Sequence, residues 1–278
     1  MKKFGVTFIV LFILMFTGLA FAHVLDDLHR MILYPTVRVR AGDVIGSGTI
    51  IASIKNGTRF DTYILTNYHV IQEAIQIKEE WNPIKKKNEQ KETRATIEVE
   101  QFKYQNMSTN TGTLLILSDI MEWNKDHDLS LLKLRSDEYF QPVKLLPKEK
   151  VEGLRIFDEI ITSGCGAGRS PFPTSGMLAS LQDEINNLSY WMVTAPSVFG
   201  DSGGGTYLRR TLEFIGIPSR GVVTFVGWSP NVVYHMSYII PISRIYEWLG
   251  ETGWASLYDS KAESHEKWLE RKKKEAKD

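Results

Sequence analysis

Ser202 stands in Gly200-Asp201-Ser202-Gly203-Gly204-Gly205, one hydroxyl between a carboxylate and three glycines. Glycine loses more conformational freedom on folding than other residues, so such a cluster marks unusual backbone angles or a close backbone approach. A serine on that turn can be a linker residue, part of a phosphate cradle or a nucleophile. The cradle reading lacks the Lys and following Ser/Thr of a phosphate loop. A nucleophilic serine needs a base, a group that orients the base, and donors for the developing oxyanion. The chain offers a candidate for each. His69, in Tyr63–Ile71 (YILTNYHVI), follows an apolar strand pattern and could act as the base. Asp128, in Asp126–Leu134 (DHDLSLLKL), leads directly into Leu129, Leu131, Leu132 and Leu134. A carboxylate at the edge of a core needs hydrogen-bond partners, and an imidazole N–H is a suitable one. Asp126 is the alternative orienter, and His127 reads as a solvated neighbour. In such a turn Gly200 lets its own N–H and that of Ser202 face one small concavity, an oxyanion hole.

The elements that must position these groups are mostly short strands. Apolar or alternating runs bounded by turn residues occur at 36–39, 48–52, 62–65, 96–99, 112–117, 129–134, 159–162, 190–193, 213–217, 221–226 and 236–240. Many are rich in Val, Ile, Thr, Tyr and Phe, and no long helical period appears before Ile242. This pattern predicts an all-β sandwich or barrel of antiparallel strands. Lys78 to Thr93 is charged and poor in apolar residues, and reads as an exposed loop. Ile242, Ile245, Tyr246 and Leu249 follow helical spacing, with Gly250 as a stop, so a C-terminal amphipathic helix is expected. Residues 251–278 read as a charged helical tail, with Glu263–Lys267 and Glu270–Lys274 spaced for ion pairs.

The first 22 residues combine Lys2 and Lys3, an apolar run from Phe4 to Leu19 and Ala20-Phe21-Ala22, the pattern of a cleaved secretory signal. The expected location is therefore exported, periplasmic or secreted, with membrane attachment only if that segment is not cleaved. Basic and acidic residues number 33 each, which does not suggest a nucleic-acid partner. The single cysteine, Cys165, cannot form an internal disulfide and reads as a small packed residue. His23, Asp26, Asp27 and His29 lie close together but at a chain end, so no metal and no other cofactor is expected.

The three contexts, in the order His, Asp, Ser, resemble the trypsin/chymotrypsin-like serine proteases. Gly46–Ser53 (GSGTIIAS) before YILTNYHVI, together with DHDLSLLKL and GDSGGG, is closest in style to the exported bacterial HtrA/Deg-like branch. Gly221–Trp228 (GVVTFVGW) and Tyr238–Ile245 (YIIPISRI) resemble that family's cleft strand and the approach to its C-terminal helix. The resemblance implies two six-stranded antiparallel β-barrels over residues 23–250, with a boundary near 140–150. It implies a protein or peptide substrate cleaved by His69, Asp128 and Ser202 through an acyl-enzyme intermediate, with Gly200 and Ser202 as the oxyanion hole. The segment after the helix is too short for the PDZ domain of HtrA proteins, and no activation site of the digestive enzymes precedes the domain. Asp201 is therefore expected to find a local partner. Pro196 aligns with the position that is acidic in trypsin-type enzymes, and Val222 and Thr224 are expected on the facing strand. That pocket favours a small or medium apolar side chain. The alternative from another class is a catalytically silent protease fold that binds a protein partner. An α/β-hydrolase is disfavoured, because its histidine would follow the serine in a chain of alternating helices and strands.

Overall fold

A computed structural model describes residues 25–276 apart from 84 and 108. The expected signal segment at 1–22 lies outside the described residues. Among the described residues, no helix is long and apolar enough to cross a membrane.

The first half holds strands β1 (Thr36–Ala41), β2 (Val44–Asn56), β3 (Arg59–Thr66), β4 (Ile75–Asn82), β5 (Lys87–Arg94), β6 (Ile97–Gln105), β7 (Thr109–Asn124) and β8 (Leu129–Leu134). Six of them close into a barrel in the order β1-β2-β3-β8-β7-β6. The second half holds β9 (Lys144–Leu145), β10 (Glu159–Gly164), β11 (Phe172–Ile185), β12 (Leu188–Val193), β13 (Gly205–Leu208), β14 (Glu213–Val226) and β15 (Ser229–Pro241). There the pairing runs β13-β10-β11-β12-β15-β14, and β14 pairs back onto β13, so six strands again form a ring. A ring leaves fewer sheet edges open to solvent than an open sheet does. Among the described residues three α-helices accompany the strands, α1 (Tyr68–Ile71), α2 (Ile242–Glu251) and α3 (His265–Glu275), together with short 3-10 and π-helical turns.

Strands β2, β3 and β8 of the first barrel turn their outer face to the core of the second half, because successive side chains alternate across a strand. Ile50, Ile64 and Leu132 fill the first barrel. Their neighbours Ile51, Leu65, Leu129 and Leu131 point the other way, into the larger core of the second half. This is why DHDLSLLKL reads as an almost unbroken apolar run: both faces of β8 are buried. Each such leucine contributes about 1.5–3 kcal/mol by leaving water. On α2, Ile242, Ile245, Tyr246 and Leu249 are all buried, as their spacing predicts. The same helix buries Arg244, which donates to the carbonyls of Ser189 and His127, both at 2.8 Å. It thereby braces the turn that carries Asp128.

Three expectations change. Lys78–Thr93 is not a loop but most of the antiparallel hairpin β4–β5. Its exposed strands lack the apolar alternation that signals a strand, and charge pairs such as Lys91–Glu80 (3.0 Å) join them instead. The runs at 213–217 and 221–226 are one strand, β14, with register shifts between Pro218 and Arg220 and between Gly221 and Val222. In α3, Arg271 pairs with Glu263 and Glu275 in place of the expected lysine pairs.

Candidate active site

Asp128 ends the turn before β8 with φ of 55°, in the left-handed region. Aspartate tolerates that conformation better than most residues. Two outside contacts fix the turn: Arg244 on the His127 carbonyl, and the Asn67 side chain on the Asp128 carbonyl at 2.9 Å. The Asp128 carboxylate is thereby aimed at His69, which sits in the first turn of α1 directly after β3. Its Oδ1 accepts the His69 backbone N–H at 3.1 Å, and both oxygens lie 3.0 Å from Nδ1. Ser219 of β14 donates its hydroxyl to Oδ2 at 2.7 Å. Asp128, only 7% exposed as a residue, therefore has three donors on its carboxylate. Facing a carboxylate, Nδ1 must carry the proton of the neutral ring, which leaves Nε2 as the free lone pair. The imidazole side chain is 41% exposed, so that lone pair can meet a substrate.

Ser202 is held by both halves of the molecule. Its carbonyl accepts from Ser47 N–H of β2 at 2.8 Å, and the next residue, Gly203, donates to the Pro218 carbonyl of β14 at 3.1 Å. Gly203 has φ of 84°, and a Cβ there would lie 2.2 Å from the Ser47 carbonyl oxygen and 2.4 Å from Thr66 Oγ1. Only glycine fits. Gly200 has φ of 102°, and a Cβ there would lie 2.8 Å from the Cys165 carbonyl. The preceding carbonyl, Phe199 C=O, accepts from Ala167 N–H at 2.7 Å. In a trans peptide the C=O and N–H point in opposite directions, so the Gly200 N–H is turned to the side away from Ala167. Among the described residues, neither Gly200 N–H nor Ser202 N–H has a protein acceptor, whereas Asp201, Gly203 and Gly204 N–H all do. The two open donors are those an oxyanion would need.

Asp201 finds its local partner in its own loop. Its Oδ2 accepts the Val198 N–H at 2.8 Å and the Ser197 hydroxyl at 3.4 Å. Burial raises its pKa above the ordinary carboxylate value, and these bonds offset part of the rise. Cys165 is fully buried and its thiol is pushed up to about 12 by desolvation, so it stays a neutral packing group.

His69 and Ser202 line one cleft of about 330 Å³. One wall is Ser197, Val198 and Phe199; the other is Pro218 to Gly221 with Val223, Val232 and Tyr234. Among the described residues, no hydrogen bond joins the Ser202 hydroxyl to the imidazole. Catalytic bonds of this kind are often open without substrate and tighten when it binds.

The expected pocket residues need correction. Pro196 is exposed, and its carbonyl accepts the Thr174 hydroxyl at 2.8 Å. Pro196, Val222 and Thr224 do not line the cleft. On β14, Val223 lines the cleft with Ser219 and Gly221, while Val222 and Thr224 stand at the intervening positions of the strand. The cleft walls are mostly apolar, with Ser197, Ser219 and the charged Arg220 as their polar side chains apart from the Tyr234 phenol.

Three residues outside the sequence-level set complete the site. Ser219 and Asn67 anchor Asp128, and Ser47 joins β2 to the nucleophile loop: its Oγ donates to the Gly200 carbonyl at 2.6 Å and accepts Cys165 N–H at 2.7 Å. Only Ser47 carried a signal in the text, as the middle of Gly46-Ser47-Gly48.

A family model for the trypsin-like peptidase domain matches residues 46–217. The chain belongs to that family. A comparison with curated proteins found no significant match. Two solved structures are similar in fold. The serine endoprotease from Yersinia pestis has a TM-score of 0.54 at 17% identity, covering 82% of this chain and 65% of that one. Deg5 has a TM-score of 0.55 at 20% identity, covering 81% of this chain and 92% of that one. This trypsin-like peptidase chain therefore spans about two thirds of the Yersinia protease.

Proposed function

We propose that this trypsin-like peptidase is an exported serine endopeptidase that cleaves proteins or peptides through an acyl-enzyme intermediate. The observation that carries the reading is the junction of the two barrels. There an imidazole oriented by a carboxylate shares a cleft with a serine flanked by two open backbone donors.

In this mechanism His69 Nε2 takes the proton of Ser202 Oγ as that oxygen attacks the scissile carbonyl. Asp128 holds the imidazole in the tautomer that leaves Nε2 free, and stabilises the imidazolium once it forms. The carbonyl oxygen, now negative, is met by the Gly200 and Ser202 N–H groups. The C–N bond breaks as the imidazolium returns its proton to the leaving amine. Water, deprotonated by the same histidine, then hydrolyses the ester on Ser202. The cleft wall of Val198, Val223 and Val232 supports a small or medium apolar side chain at the cleaved position. Export rests on the segment at 1–22.

The test is labelling with a peptidyl phosphonate followed by mass spectrometry. A single adduct on Ser202 in the wild type, absent in His69→Ala and Ser202→Ala, is expected. Folded wild-type protein that takes no label would assign the cleft to binding without turnover.

A further inference from the structure

Hairpin β4–β5 is an ordered element without a buried face: every residue of its two strands is exposed or half-buried. A two-stranded hairpin is marginally stable in water by itself, since it gains little apolar burial. This one is held at its base. Arg94 donates to the carbonyls of Ile120 and Met121 at 2.9 and 2.8 Å, and Ala95 N–H donates to the Ala74 carbonyl at 2.8 Å. Trp123 donates its indole N–H to Glu92 at 2.8 Å and stacks on Tyr68, the neighbour of His69, with ring centroids 5.2 Å apart. The hairpin is thus an arm coupled to the helix that carries His69, yet it adds nothing to either core. Such an arm acts through its surface.

Charge on that surface is uneven. Along the strands the signs cancel, with Lys78, Glu79 and Glu80 on one and Glu89, Lys91 and Glu92 on the other. From Trp81 to Asn88 there are three lysines, Lys85, Lys86 and Lys87, and no acid. Lys85 is answered by Glu89 at 2.8 Å, whereas the exposed Lys86 and Lys87 have no carboxylate partner among the described residues. Trp81, 62% exposed, stands at the same end opposite Asn88, and Pro83 beside it is exposed as well. An indole next to ammonium groups suits a lipid–water boundary, where the ring lies among headgroups and the charges meet phosphates. A nucleic acid or acidic peptide lying along the arm would need a basic stripe, and would instead meet Glu79, Glu80, Glu89 and Glu92. Basic charge confined to the end fits contact with a plane.

We propose that the tip of β4–β5 docks this protein end-on to an anionic lipid surface. Trp81 enters the headgroup layer, and Lys86 and Lys87 meet the lipid phosphates. Strand β4 has eight residues, about 26 Å at about 3.3 Å each, so docking holds His69 about one arm's length above the bilayer. The polypeptides within its reach are then segments that emerge from that surface or lie along it. Only this choice of substrate rests on the peptidase reading above; the docking itself does not depend on turnover. A few lysines and one ring give weak, reversible binding, so it is measured at millimolar lipid.

The experiment uses the full chain carrying Ser202→Ala, with and without the pair Lys86→Gln and Lys87→Gln, and separately with Trp81→Ser. Co-sedimentation is measured with phosphatidylcholine vesicles that contain or lack phosphatidylglycerol. Binding to the anionic vesicles should be about 10- to 30-fold weaker in the double lysine variant, the worth of two lysines at a charged leaflet, and weaker also in Trp81→Ser. Any vesicle binding by the apolar run at 4–19 is common to all variants and both vesicle types, so the second readout is local. Anionic vesicles should slow trypsin cleavage after Lys85, Lys86 and Lys87 at least about tenfold relative to cleavage after the exposed Lys55, and neutral vesicles should not. Unchanged cleavage at the tip with anionic vesicles overturns the proposal. So does equal protection by neutral vesicles, or protection by single-stranded DNA or a polyglutamate peptide in place of vesicles. Phosphonate labelling of Ser202 in wild-type background judges the peptidase reading separately.

Discussion

Replacing Ser47 by alanine tests how the two barrels build the oxyanion site. The change leaves the backbone links intact: the N–H of residue 47 still reaches the Ser202 carbonyl, and the carbonyl of residue 47 still accepts from Thr66, bonds of 2.8 and 2.7 Å in the native chain. What is lost is the hydroxyl between the Gly200 carbonyl and Cys165 N–H, at 2.6 and 2.7 Å. The hydrogen bond to the Gly200 carbonyl goes, at about 1 kcal/mol, and the buried Cys165 N–H is left without an acceptor, at about 1–3 kcal/mol. The expected loss of stability is about 2–4 kcal/mol, measured by urea unfolding. Gly200 carries one of the two oxyanion donors, and complete removal of such a donor costs about 10²–10³ in kcat. Loosening it should cost less, about 10- to 100-fold in kcat, with KM changed less than about threefold. Affinity for a peptidyl boronic acid, whose tetrahedral adduct uses the hole, should fall with kcat. A variant that loses the predicted stability but keeps kcat and boronate affinity would refute the reasoning, making Ser47 a packing residue only.

Asp128→Asn should lower kcat by about 10⁴ with little effect on KM, because an amide facing Nδ1 favours the wrong imidazole tautomer; steady-state kinetics on a fluorogenic peptide check this. Gly203→Ala should fail to give soluble folded protein, since the added Cβ meets the Ser47 carbonyl oxygen at 2.2 Å; the solubility of the expressed variant reads it. Burial raises the Asp201 pKa in the fold, so its protonated form is the one that folding favours. Its favourable contribution is complete below the unfolded carboxylate pKa and is lost as pH rises through the raised folded value. Asp201→Asn should therefore gain Tm relative to wild type as pH increases across that window, and a pH-independent difference would contradict the assignment. Arg220 is the permanently charged side chain in the cleft wall, and among the described residues it has no carboxylate partner; its guanidinium rests 5.1 Å from the Tyr190 ring. Arg220→Gln should reduce any preference for acidic over neutral residues near the cleaved bond by about two- to fivefold in kcat/KM, the scale of a partly solvated ion pair.

How much could be read from the chain follows from the range of the interactions. Helix α2 and strand β8 were legible because burial prints its period on neighbouring residues, as with Ile242–Leu249 and Leu129–Leu134. The contexts of His69, Asp128 and Ser202 were legible because each sits where an apolar run meets a turn. Ser219 and Asn67 were not, since their roles come from contacts 91 and 61 residues away along the chain. The pocket wall was misplaced because an unbroken run of Val, Thr and Phe does not show which of its two alternate sets faces the cleft. Hairpin β4–β5 escaped notice because both its faces are wet, and a strand without a buried face loses its period of two.

The central claim is that His69 and Ser202 act as one device at the barrel junction. It is tested by kcat for His69→Ala, Ser202→Ala and the double variant on one peptide substrate. Groups that act as a unit predict that each single change costs about as much as both together, several powers of ten. Losses that multiply in the double variant, or turnover that survives either single change, would contradict it.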